Sequence, residues 1–153
     1  MSGYDDDLRV ALDGEFSDNR LREVGDGTAE FALLAQAFPT LHSRIDWGRV
    51  PGAITFELAD DESAHELIQQ FIVSLQGKYD LVGPVTFVGD SATGVALQGE
   101  IGTFVRILKL LLEVPQHHYF VGAGARWCLC ITFEGDVGFG FSPAFLGSTE
   151  GGG

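Results

Sequence analysis

The sequence predicts a single α+β domain: a mostly antiparallel sheet with about three helices packed on it. Three observations lead there. Apolar residues recur at helical spacing in three separate stretches. Between them lie short runs of alternating or continuous apolar residues, bounded by Gly, Pro and Asp. The last of these runs follow one another through glycine-bearing turns, as in a β-meander. A chain of 153 residues fits one domain, and at that size roughly 68–70% of the unfolded surface can be buried.

The elements follow in order. Leu8, Val10 and Leu12 alternate with Arg9 and Ala11, which predicts a short strand, and residues 13–27 then read as a polar loop. The first helix is predicted over 28–38. Phe31, Leu34, Ala35 and Phe38 form its stripe, Thr28 is its cap, and Pro39 stops it. Residues 53–58 alternate as a strand. The second helix is predicted over 62–76, with Ser63 and Glu66 at capping-box spacing and Gly77 at its C-terminal end. Residues 81–88 and 94–97 read as a hairpin. A third helix spans about 101–113 and ends before Pro115. The meander takes strands 118–121, 126–133 and 137–141, with turns at Gly122–Gly124 and at Gly135-Asp136. The middle strand is apolar on both faces and is predicted to be central. Gly138 and Gly140 leave one face of the last strand bare, which invites close approach by a helix or another backbone. The tail from Gly147 to Gly153 is glycine-rich and expected to be disordered.

Charge is the most unusual feature. Asp and Glu number 22 against 9 Lys and Arg, a formal net charge of −13. Binding to phosphate backbones or anionic membrane surfaces needs the opposite sign, so no direct nucleic-acid or membrane partner is expected. An acidic surface steers basic partners towards it. Cys128 and Cys130 are alternate residues of one strand. They point to one face and are expected to be reduced thiols, which suits a cytoplasmic protein. The N-terminus carries Asp5, Asp6 and Asp7 and no apolar signal core, and the apolar stretch at 104–114 is too short to span a bilayer.

The search for chemistry finds no reaction centre and no cofactor. His42 and His65 are isolated, and adjacent His117 and His118 point in opposite directions in a strand, so no metal site is expected. The two cysteines lie in an apolar run that raises a thiol pKa. No serine has the nucleophile-elbow pattern. Gly25-Asp26-Gly27-Thr28 precedes a helix, but Asp26 would repel a phosphate. Asp60, Asp61, Glu62 and Glu66 cluster at a helix start, where the dipole favours carboxylates by roughly 0.3–1 kcal/mol each.

The meander Tyr119-Phe120-Val121, then Arg126-Trp127-Cys128-Leu129-Cys130-Ile131-Thr132-Phe133-Glu134-Gly135-Asp136-Val137-Gly138-Phe139-Gly140, resembles bacterial immunity proteins. These are the antidotes of polymorphic toxin and contact-dependent growth inhibition systems. The resemblance covers roughly the last 25 residues of the fold, together with size and acidity. It implies a cytoplasmic, non-enzymatic protein that binds a toxin domain, commonly a basic nuclease. The residues expected to meet that partner are Asp60, Asp61, Glu62 and Glu66, with Glu134 and Asp136 at the last hairpin. Trp47 is either an aromatic anchor or a core plug. The alternative is a small-molecule site lined by His118 and the glycine face of the last strand.

Overall fold

The computed structural model describes residues 3–42, 44–59 and 64–144. The elements are α1 (Gly3–Ala11), α2 (Asp13–Ser17), β1 (Leu21–Gly25), α3 (Thr28–Ala37), β2 (Thr40–Leu41), β3 (Arg44–Ile45), β4 (Ile54–Glu57), α4 (Ala64–Lys78), β5 (Val85–Gly89), β6 (Ala96–Gly99), α5 (Ile101–Leu112), β7 (His118–Val121), β8 (Trp127–Ile131) and β9 (Asp136–Phe141). Short 3-10 turns occupy Trp47–Arg49 and Ala123–Ala125. One seven-stranded sheet runs β1-β6-β5-β7-β8-β9-β4 with every neighbouring pair antiparallel, and β2–β3 is a separate small hairpin. The α+β class, the β5–β6 hairpin and the β7–β8–β9 meander match the sequence-based expectation. The described residues form five α-helices rather than three.

Both faces of the sheet are covered, because its inner strands carry apolar residues at even and odd positions alike. On β8, Trp127, Leu129 and Ile131 face a core built with Ile68, Ile72 and Leu75 of α4 and Phe104, Leu108 and Leu111 of α5. Cys128 and Cys130 face the other way, into a smaller core with Leu34, Phe38 and Val50. β8 has neighbours on both sides, as a continuous apolar run predicts.

The N-terminal expectation fails. Residues 8–12 are not a strand: Leu8 and Leu12 are buried one helical turn apart, while Val10 is 80% exposed. Nor is 13–27 a loop, since it contains α2 and β1. Thr28 does not cap α3 with its side chain. The N-cap is Gly27, at φ +88°, and Asp26 accepts the Thr28 N–H at 3.0 Å. Gly77 lies inside α4, which runs on to Lys78. The expected helix start at 62–63, Asp60, Asp61 and the glycine-rich tail lie outside the described residues.

Candidate functional site

One end of the sheet brings Glu57, Glu113, Glu134 and Asp136 near one turn. It is built on the turn between β8 and β9. There the Gly135 N–H donates to the Thr132 carbonyl (3.0 Å), and the Asp136 N–H donates to Thr132 Oγ1 (3.0 Å). Gly135 adopts φ +93°, which a side chain disfavours. Its carbonyl accepts the Leu58 N–H at 2.8 Å, tying the exit of β4 to the turn. The turn occupies Thr132–Gly135, so the strand stops at Ile131 and Phe133 is carried outward, 65% exposed. The Phe133 N–H donates to His117 Nδ1 at 2.8 Å, which fixes that side chain against the turn.

Two clefts flank this turn, one on each face. The first, about 520 Å³, lies on the α4/α5 side. Leu58, Ile68, Leu112 and Pro115 wall it, Glu113, Phe133 and Glu134 border it, and His118 lines it. The second, about 330 Å³, lies on the opposite side among Arg44, Trp47, Glu57, Tyr119, Asp136 and Gly138. Glu57 and Asp136 stand directly opposite each other in the β4–β9 register, both exposed. Like charges so placed repel. Among the described residues no salt bridge reaches Glu57, Glu113 or Asp136. Glu134 meets Arg44 at 3.5 Å, with both side chains half exposed.

The predicted site residues divide accordingly. Glu134 and Asp136 are together at this end, on opposite sides of the turn. Glu66 is on the first turn of α4, two residues from Ala64, which lines the larger cleft. Asp60, Asp61 and Glu62 lie outside the described residues, in the stretch entered at Ala59 and left at Ala64. Trp47 is a plug: its indole covers Gly138, where a Cβ would collide with Nε1, and Val50 and Trp47 crowd Gly140. A 3-10 turn thus takes the close approach that the two glycines permit. Phe133, Glu113, Glu57 and Arg44 were not anticipated. Only the Thr-x-x-Gly spacing of the turn hints that Phe133 would leave the strand.

The histidines and cysteines lie elsewhere. His118 faces the α4/α5 core, stacked on Phe87, whereas Gly138 opens to the other face, so the two do not share a pocket. Burial lowers the His118 pKa to about 4 despite a hydrogen bond to the Val114 carbonyl, and among the described residues its Nδ1 has no partner. Burial pushes the Cys130 thiol up to about 12 and holds Cys128 well above the usual thiol value. Arg44 Nη2 lies 2.7 Å from His117 Nε2, and the His117 N–H donates to Asp90 Oδ1 at 2.9 Å. These groups border a third cleft of about 680 Å³ beside α3. Among the described residues no three His, Cys, Asp or Glu side chains are grouped to hold a metal ion, and no helix is long and apolar enough to cross a membrane. No protein-family model and no curated protein sequence matches the chain.

Proposed function

We propose that this chain is an antidote of the immunity-protein kind, which binds and neutralises a basic toxin domain in the cytoplasm without catalysing a reaction. The observation that carries the reading is Phe133, an exposed aromatic that shares a cleft with Glu113 and Glu134, with Glu57 and Asp136 on the other side of the same turn. Apolar surface left in water gains free energy when a partner covers it. The opposed Glu57 and Asp136 repel each other until a cation comes between them. Aromatic anchors surrounded by polar rims are the usual centres of protein interfaces. A nuclease cleft lined with Lys and Arg supplies the complementary field, and carboxylates occupy the positions its phosphates would take.

The test is co-expression with nuclease toxin domains, any encoded beside this chain first, scored by growth and followed by affinity measurement at several salt concentrations. Rescue by wild type, loss of rescue in Phe133→Ala combined with Asp136→Lys, and weaker binding at high salt are the expected results. Rescue by that variant at wild-type level excludes this end as the interface. A small-molecule site is the second reading, favoured by the roughly 680 Å³ cleft where Arg44, Asp90, His117 and Tyr119 meet. It predicts saturable binding of a metabolite that Arg44→Ala abolishes.

A further inference from the structure

We propose that the cleft beside α3 binds a neutral small molecule through an amide-like group, a carbonyl next to an N–H. This rests on the small-molecule reading of that cleft, names its ligand class, and is independent of the antidote reading. The observation that carries it is a pair of donors set against each other. His117 Nδ1 accepts the Phe133 N–H at 2.8 Å. That nitrogen is therefore bare, and the ring's proton sits on Nε2. Arg44 Nη2, which can only donate, stands 2.7 Å from the same Nε2. Two N–H groups cannot bond each other. An oxygen placed beside the pair, at ordinary hydrogen-bond distance from each, satisfies both. Asp90 Oδ2 does not serve, being 3.9 Å from Nε2. Both donors are within a ligand's reach: the two side chains line the cleft, and they are 50% and 13% exposed.

The surroundings select the class. Asp90 is locked beside the donor pair, because its N–H donates to the His117 carbonyl at 3.2 Å and its Oδ1 accepts the His117 N–H at 2.9 Å. Buried Gln116 fixes the loop that follows, its Oε1 accepting the Ala92 and Thr93 N–H groups at 3.0 Å each. Arg44 already meets Glu134 at 3.5 Å, so a carboxylate ligand would set a third negative group around one guanidinium. A cation has no use for two donors. A carbonyl takes both, and an N–H on the same carbon supplies Asp90 with the donor that a carboxylate lacks. Phe31, Leu34, Ala35 and Ile45 offer walls for an apolar body.

The probe is benzamide, with benzoate and benzylammonium as its anionic and cationic counterparts, titrated into the full-length chain labelled with nitrogen-15. The readouts are the His117 ring nitrogens and the Phe133 and Asp90 amides. Before any addition the His117 ring should show its proton on Nε2; a proton on Nδ1 overturns the proposal. Benzamide should shift all three signals saturably and bind about threefold or more tightly than benzoate. Arg44→Ala should weaken benzamide about tenfold or more. Asp90→Asn keeps an oxygen for the His117 N–H and should turn the preference towards benzoate; an unchanged preference overturns the proposal. Tighter binding of benzoate or benzylammonium to wild type, lost in Arg44→Ala, removes the amide class and keeps a small-molecule cleft. Silence of all three compounds, with the donors served by water alone, removes both.

Discussion

Replacing His118 with phenylalanine should make the fold more resistant to mild acid. In the native state the ring is enclosed and its pKa is lowered to about 4, from 6.5 in the unfolded chain. Between those values the unfolded chain binds a proton that the native protein refuses, so stability falls as pH drops through this window. The full difference between the two affinities is worth about 3 kcal/mol, and at about pH 5 about 2 kcal/mol of it is lost. Asp90 and His117 also act on the ring, with opposite signs and less weight than burial. Phenylalanine keeps the contact with Phe87, whose ring centroid is 5.9 Å away. It loses the Val114 hydrogen bond and removes the orphaned Nδ1, two effects of about 1 kcal/mol each that oppose one another at neutral pH. Urea unfolding of both proteins at about pH 7.5 and about pH 5 separates the terms. Wild type should lose about 2 kcal/mol between the two conditions, and His118→Phe should lose little of that. Glu15, whose carboxyl is held down to about 2 by hydrogen bonds from Arg106 and Arg20, matters at lower pH and is common to both proteins. Equal losses in the two proteins would refute the assignment of the acid sensitivity to this ring.

Three further outcomes follow from the same geometry. Glu57→Lys should stabilise the fold by about 0.2–1 kcal/mol, because it converts the cross-strand repulsion with Asp136 into attraction; the same change should weaken binding to a basic partner, and thermal melting beside affinity measurement checks both. Gly138→Ala should cost about 1–3 kcal/mol, since the new methyl displaces the Trp47 indole; urea unfolding followed by tryptophan fluorescence reads both effects. Cys128 and Cys130 should react with a thiol-specific disulfide reagent only as fast as the protein opens, and rapidly in denaturant.

The parts of the fold legible in the sequence are those where burial imposes one period. α4 and α5 bury a single stripe each, and β7 to β9 are apolar runs cut by glycine turns. The N-terminal segment was misread because Leu8, Val10 and Leu12 satisfy two periods at once. Spacing by two suggests a strand, while Leu8 and Leu12 alone are one helical turn apart, and packing against the α4/α5 core selects the second. β1 escaped because it is an edge strand with only Leu21 buried; Arg22 reaches Gln98 instead of a core. At the candidate site, the carboxylates of the last hairpin were readable from charge. Phe133 was not, because the predicted strand runs on to 133 whereas the observed one stops at Ile131, and Glu113 joins the site only through the meeting of segments distant in sequence.

The two outermost strands of the sheet come early in the chain and pair late. Leu21 of β1 meets Gly99, and Ile54 of β4 meets Phe139. During synthesis β4 therefore has no partner until β9 has left the ribosome, although the central hairpins can pair as they emerge. The acidic end, tied together by the Leu58–Gly135 bond, is assembled last. A nascent chain stopped short of Asp136 would hold its central strands without the β4–β9 edge and without the bond that ties Leu58 to the turn.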